Sequence, residues 1–527
     1  MEERSLSIDP APTPTRSDWR WLLLLVTIAV GLRAWQIGTT ELTSRDSVAY
    51  IRYAWRLGHE PWRHVVTHEI HHPGYGFLVA AVARPVRLLI PDDLPRAMQL
   101  SAQLAASLAG ILLVLPMYFL GKSLFDRRVG FWATLLFQLL PSSGRLMADG
   151  LSEPLFLLGV TSALYFVNRA MVEGALKFFL LGGLCSGLAY LTRTEGLIVV
   201  PAALLVLLVR RKGPWVRQSL VLTGSCAALA APFMLLIGGV SLKASFKNIP
   251  DGKGWEMPAR PAAAVASPLP LAAWWIDPGV TPNDRVGWAT RALLVTLDKG
   301  FFHVFGPLAL LGLWVYRRRF AEAPGAAVML VAGLTLLALL WKLAQSAGYI
   351  GDRHVLLVVL GGMYFSAAAV AWITSRWPAW AATLAFAALA GACLPKTLAP
   401  LHANRSGFRD AGRWLAANSW PGDEVFDPLA WTSYHAGRLF VSEDAPRSDP
   451  PVCYVVLEES ANQHPHLWYL LDLARELTRD GAEVVYRSRL SRGVEIVIYR
   501  VARPPERTVA GHQLQVWLSV NMGRRAH

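Results

Sequence analysis

Long apolar runs separated by short polar or basic breaks dominate the first four hundred positions. Hydrocarbon offers no partner to backbone N–H and C=O groups, so a spanning helix needs roughly 20 mostly apolar residues. By that rule the pattern predicts about eleven spans, near 20–38, 97–121, 129–143, 151–168, 176–192, 195–210, 218–239, 292–316, 325–345, 354–373 and 378–396. The segment GYGFLVAAVARPVRLLIP at 74–91 is apolar only in part and carries Arg84, Pro85 and Arg87 in its middle. An interfacial or re-entrant helix is expected there. The first run is long, Arg33 interrupts it late, and no small-residue cleavage site follows, so it reads as a retained anchor.

After about residue 400 the period changes. FRDAGRWLAANSW and LWYLLDLARELTRDG have helical apolar spacing, whereas EVFDPLA, VCYVVLEE, AEVVYRSRL and GVEIVIYRVA read as strands. The expectation is a transmembrane unit over 1–399, a small α/β domain over 400–502 with enough residues for its own core, and a polar tail over 503–527.

Composition narrows the class. Of 527 residues, 54% are hydrophobic and 17% charged, against roughly 25% charged in an ordinary soluble protein. Disorder is excluded by the apolar content, and a disulfide scaffold by four Cys in the whole chain. What remains is a mostly α, polytopic membrane protein. The net charge of +14 is then a topology signal, and no basic-aromatic patch points to nucleic acid. With the N-terminus cytoplasmic, the inner segments hold Arg4, Arg16, Arg20, Lys122, Arg127, Arg128, Arg169, Lys177, Arg210, Arg211, Lys212, Arg217, Arg317, Arg318, Arg319 and Arg376. The short outer connections hold only Arg145, Arg193 and Arg353. This asymmetry sets the N-terminus inside, the C-terminal domain outside, and two large outer regions at 39–96 and 240–291. No internal repeat is visible, which leaves the inverted-repeat pattern of many transporters without support.

The first outer region is the richest in chemistry: ELTSRDSVAYIRYAWRLGHEPWRHVVTHEIHHPGYG. Asp46, Tyr50, Tyr53 and Leu57 recur at helical spacing, and Ser44 is placed to cap that helix. Asp46 in its first turn either complements the helix dipole or does chemistry. His59, Glu60, His64, His68, Glu69, His71 and His72 follow, a density of titrating groups unusual in a connector. Their spacing matches no standard zinc motif. In the second outer region, Trp255, Trp274 and Trp275 read as interface anchors, or as a sugar-stacking lid.

RDSVAYIRYAWRL followed by HHPGYG resembles the start of the GT-C class of integral-membrane glycosyltransferases, in particular the branch of protein O-mannosyltransferases and lipid A aminoarabinose transferases. RLMADGLSEPLFLLG is similar to the family's second outer loop, and GLAYLTRTEGLIVVP to its Gly-rich span and tight outer turn. GYIGDRHVLLVVL resembles its late Arg-aromatic turn, with His354 at the aromatic position, and FRDAGRWLAANSWPGDEVF the start of its extracytoplasmic domain. Arg45 stands before Asp46 and His72 before Pro73, where the family often has acids.

The resemblance implies a GT-C fold and a bacterial inner (cell) membrane location. It also implies a polyprenyl-phosphate-linked sugar donor attacked by a lipid, protein or glycan acceptor at the outer face. A carboxylate near that surface can take the acceptor's proton, which makes Asp46 the candidate general base. Inversion would follow from a single displacement. Asp149 and Glu153 are the candidate acids of the second loop, orienting the acceptor or a cation; Glu153, just before Pro154, also suits a helix N-terminus. The leaving phosphate needs cationic or hydrogen-bonding partners. Arg353 with His354, Arg193, and the turn residues His71 and His72 are the candidates, with snorkelling the alternative for both arginines. Arg52, Arg56 and Arg63 are further candidates for anionic headgroups or for the donor. Glu195 pairs with Arg193 or caps the next helix. A divalent metal is compatible with the family and is not required by these residues. The competing reading is a transporter or flippase of a lipid-linked solute, which should carry ionisable residues at mid-span; Asp298, Lys299 and Lys342 are the main in-span cases. A non-catalytic membrane scaffold is the third.

Overall fold

The computed structural model describes residues 15–242, 273–275, 284–318, 322–403, 405–441, 445–459, 468–479, 481–489 and 495–502. Helices carry most of it. In chain order they are α1 (Arg16–Thr39), α2 (Arg45–His59), α3 (Trp62–His68), α4 (Pro73–Leu89), α5 (Leu94–Leu112), α6 (Val114–Leu124), α7 (Arg127–Leu139), α8 (Pro141–Leu146), α9 (Glu153–Glu173), α10 (Leu176–Tyr190), α11 (Val199–Arg210) and α12 (Trp215–Ile237). Then come α13 (Arg285–Gly300), α14 (Phe305–Val315), α15 (Pro324–Ala347), α16 (Leu356–Ile373) and α17 (Ala379–Thr397), followed by α18 (Ser406–Asn418), α19 (Trp431–His435) and α20 (Trp468–Leu477).

Among the described residues seven helices are long and apolar enough to cross a membrane, or eight if the pair α13 and α14, bent by 95°, is one span. The runs expected at 129–143, 176–192 and 195–210 are helices of 13, 15 and 12 residues. At about 1.5 Å per residue these are short of a full crossing of roughly 30 Å. The segment at 74–91 forms α4 and is not among the spanning candidates. Asp298 lies at the break of the bent pair and bonds His303 Nδ1 at 2.6 Å, while Lys342 donates to Gln345 on its own helix at 3.1 Å.

Two buried polar clusters tie the bundle together. Near the start of α1, Asp18 accepts from Tyr118 and Lys122 at 2.7 Å each and from Arg127 at 3.0 Å. Nearer its end, Arg33 is buried without a carboxylate. It donates instead to Gln36 and Gln138 side-chain oxygens at 2.7 and 2.8 Å, and to the Gly144 carbonyl. Carbonyls at the exposed end of a helix are a natural sink for a cation, and Gln138 closes α7. Three of the four cysteines are buried, as packing residues would be.

The C-terminal segments form a four-stranded sheet, in addition to a small β1–β2 pair elsewhere. Its strands are β3 (Glu424–Phe426), β4 (Val452–Glu459), β5 (Glu483–Arg489) and β6 (Glu495–Ala502), in the order β3-β4-β6-β5. The first pair is parallel and the others antiparallel. Cys453, Val455, Ile496 and Ile498 are buried in it, and α18 and α20 supply Phe408, Leu415 and Leu473. Its apolar core is continuous with Leu42 and with Val48, Ile51, Val79 and Ala105 on α2, α4 and α5. The sheet unit therefore packs directly on the helix that carries Asp46.

β1 (Ala273–Trp275) pairs antiparallel with β2 (Tyr349–Gly351), Trp274 opposite Ile350 and Trp275 opposite Tyr349. The sequence pattern did not suggest this ribbon. It ties the second outer region to the turn that carries Arg353. Trp255 and the tail from 503 lie outside the described residues.

Candidate active site

Four separate stretches of chain bring the candidate residues together. The first is α2, whose N-cap Ser44 accepts from the Ser47 amide, as the sequence predicted. Asp46 sits in the first turn, and its Oδ2 accepts from Arg353 Nη1. The second is the N-terminus of α9. Glu153 is 2% exposed there, followed by Pro154 in the first turn, where no amide is needed. The third is the turn after α10. Arg193 donates to Glu153 Oε1 at 2.7 Å and to Glu195 Oε1 at 3.0 Å. Gly196 is obligatory in this turn, because a Cβ there would lie 2.2 Å from the Tyr190 amide nitrogen.

The fourth stretch is the single turn Asp352–Val355 after β2. Arg353 Nε lies 3.9 Å from Glu153 Oε1. His354 Nδ1 lies 3.1 Å from the Gly351 amide nitrogen and 3.2 Å from the Gly351 carbonyl oxygen, which pins the ring to its own turn. The result is an alternating chain, Asp46–Arg353–Glu153–Arg193–Glu195. The guanidinium of Arg353 beside Asp46 holds that carboxyl well below its ordinary range. Burial pushes the nearby Tyr50 phenol up to about 12, so it is a hydrogen-bonding group, joined to Ser152 Oγ at 2.8 Å. Glu153 Oε2 and Arg353 Nε are buried with no hydrogen-bond partner.

Most of these groups line a small cleft, where Glu153, Arg193, Glu195, Arg353 and His354 are joined by Phe156, Leu157, Leu336, Leu356 and Leu357. Half of the wall is ionic and half is apolar.

The remaining candidates sit apart from this chain. The His71 ring lies 4.5 Å from that of Tyr50, tilted by 37°, and is close enough to favour ionised Asp46. His72 is buried at the N-cap of α4, with Nδ1 2.7 Å from the Tyr190 carbonyl and Nε2 3.4 Å from Ser241 Oγ. That geometry pins the His-Pro turn against α10. Asp149 accepts from the Ser44 amide at 2.9 Å and from His402 Nε2 at 2.9 Å. Arg52 and Arg56 face Glu69, which is buried, and Arg56 also holds Glu60 bidentately at 2.7 and 2.8 Å. Their charge is largely spent inside the outer region. His402 is the participant that sequence reasoning missed: a lone His in a linker gives no periodic or motif signal. Among the described residues no group of three or more His, Cys, Asp or Glu is placed to share a metal ion. Since the Asp46 carboxylate is engaged by a guanidinium, no step through a metal is derived.

An ionic turn cluster at one end of an apolar helical bundle, next to a small sheet unit, is an arrangement shared with solved structures of the GT-C fold. Residues 94–237 match the family model described as dolichyl-phosphate-mannose-protein mannosyltransferase. Among solved structures, the chain is similar to ArnT from Cupriavidus metallidurans bound to undecaprenyl phosphate, with 13% identity, a TM-score of 0.55 and coverage of 91% of this chain and 98% of that one. It is also similar to the oligosaccharyltransferase AglB from Archaeoglobus fulgidus, in complex with an inhibitory peptide and a dolichol-phosphate, with 14% identity and a TM-score of 0.51. That match covers 77% of this chain, which spans 58% of the length of AglB. No curated protein matches the chain in sequence. The GT-C resemblance read from the motifs is thus met in both fold and family match.

Proposed function

We propose that this protein transfers a sugar from a polyprenyl-phosphate carrier to an acceptor at the extracytoplasmic face of a bacterial inner membrane, with inversion at the anomeric carbon. The observation that carries this reading is the Asp46–Arg353–Glu153 sequence of charges, of which Arg353 and Glu153 line a cleft that is half ionic and half apolar. A lipid phosphate has that same division: an anionic head and a hydrocarbon chain.

The chemistry follows from the geometry. The carrier phosphate binds at Arg353, with the neighbouring His354 imidazole as a second hydrogen-bonding group. The acceptor hydroxyl attacks C1 of the sugar, and its proton passes to the Asp46 carboxylate. The bond from C1 to the phosphate oxygen breaks, and the developing negative charge is met by Arg353. Arg193 and Glu195 keep Glu153 in register. In the isolated chain Arg353 is shared with Asp46, so the phosphate takes up donors that Asp46 holds beforehand. The relatives bound to undecaprenyl phosphate and to a dolichol-phosphate support a carrier of this chemical type.

Sidedness has its own support. Asn168 of α9 donates to Ser123 at 2.8 Å, beside Lys122, whereas Glu153 opens the same helix at the site. The basic cluster assigned to the cytoplasm and the ionic cleft thus occupy opposite ends of α9, which agrees with an outer site.

The test is transfer by purified protein from a panel of undecaprenyl-phosphate sugars to detergent-extracted envelope acceptors. Transfer from at least one carrier that is lost in Asp46→Asn supports the reading. No transfer from any carrier, together with carrier movement across vesicles, would favour a flippase.

A further inference from the structure

We infer that His402 and Asp149 form a positioning pair that fixes the start of α2, and with it Asp46, from the linker to the C-terminal unit. This rests on Asp46 being the base; the pair itself is read from geometry alone.

Both oxygens of Asp149 are occupied. Oδ1 accepts from the Ser44 amide and from His402 Nε2 at 2.9 Å each, and Oδ2 lies 3.0 Å from the same imidazole nitrogen. Ser44 is the N-cap of α2, two positions before Asp46. A carboxylate used in this way is engaged by a backbone amide and an imidazole, not by a reactant. Its role is to hold backbone.

His402 is itself held in an unusual state. Its φ of 49° lies in the left-handed region, which non-glycine residues adopt only where their surroundings compensate. The imidazole binds Asp149 and packs 6.3 Å from Trp431, whose indole N–H donates to the Thr43 carbonyl at 3.0 Å. Glu41 in turn accepts from the amides of Arg405 and Ser406 at 3.2 and 3.1 Å. Residues 41, 43 and 44 are therefore gripped, directly or through Asp149, by the linker and by α19. The helix bearing the base is set by the C-terminal unit.

Hydrogen exchange over residues 40–50, undecaprenyl phosphate binding, and kcat and KM with the sugar carrier turned over in the panel test this in the full-length protein. In His402→Ala the first-turn amides of α2 should exchange about tenfold faster. kcat should fall by about 10- to 100-fold with undecaprenyl phosphate affinity held within about twofold, since misplacing a catalytic group costs rate more than binding. His402→Gln, whose side-chain N–H can reach Asp149, should restore most of both. Asp149→Asn, which still accepts from Ser44, should retain far more activity than Asp46→Asn. Unchanged exchange in His402→Ala, a loss that Gln does not rescue, or Asp149→Asn as inactive as Asp46→Asn would each overturn the inference. If no carrier is turned over, the function fails, and the exchange result still decides the pair.

Discussion

Arg353 Nη1 donates to Asp46 Oδ2 across 307 positions of chain, joining the first outer helix to the last outer turn. The candidate base and the candidate phosphate ligand are thus partners before any substrate is present. That relationship sets the first two expectations.

Asp46→Asn keeps the shape of the side chain and removes its basicity. Transfer should fall by about 10²- to 10⁴-fold, while undecaprenyl phosphate binds as well as before or better. Steady-state transfer and carrier binding measured side by side check this; a variant retaining full activity removes Asp46 as the base.

Arg353 holds the Asp46 carboxyl below its ordinary value of 3.8. A lowered folded-state value means that this pair stabilises the protein above the unfolded pKa and is lost as pH falls through the folded one. The acid limb of the rate profile due to Asp46 should therefore lie below the range of an unperturbed carboxylate, leaving a flat profile over about pH 5–8 from this group. In Arg353→Gln the limb should move upward, and carrier binding should weaken. A pH–rate series on both proteins reads the shift directly.

Glu153 and Arg193 form a buried pair, with side chains 3% and 12% exposed. Removing Glu153 leaves Arg193 with Glu195 as its remaining carboxylate partner. Glu153→Ala should cost about 1–3 kcal/mol of stability, whereas a double apolar replacement, Glu153→Leu with Arg193→Met, should recover much of it while remaining inactive. Thermal unfolding in detergent separates the two outcomes.

Gly150 has φ of +70°, and a Cβ there would lie 2.3 Å from Ser47 Oγ. Gly150→Ala should destabilise by about 1–3 kcal/mol. It should also lower activity by pushing on α2, since Ser47 Oγ bonds the Gly150 carbonyl at 3.0 Å. Gly58→Ala, with open space around it, is the matched control.

Much of this architecture is written locally. The Ser44 cap, the helix it starts, and the alternation of VCYVVLEE and GVEIVIYRVA depend on neighbours in sequence, and the structure has them where the pattern put them. Arg193 and Arg353 were visible as exceptions to a charge rule, and both now sit in the ionic chain. What escaped is pairing between distant segments. Nothing near Arg56 announces that Glu69 will neutralise it, nothing near His402 announces Asp149, and the pairing of 273–275 with 349–351 leaves no trace in either stretch. The break between α13 and α14 likewise falls inside a run that hydropathy alone reads as one unbroken span.

The shared apolar core of the outer helices and the sheet unit has a practical meaning. A protein cut at residue 400 would leave Val48, Ile51 and Ala105 uncovered and would also take away the indole that Thr43 binds. The C-terminal unit is better regarded as a buttress of the helix that carries Asp46 than as a detachable accessory, and swapping it between relatives should succeed only when the facing side of α2 is exchanged along with it.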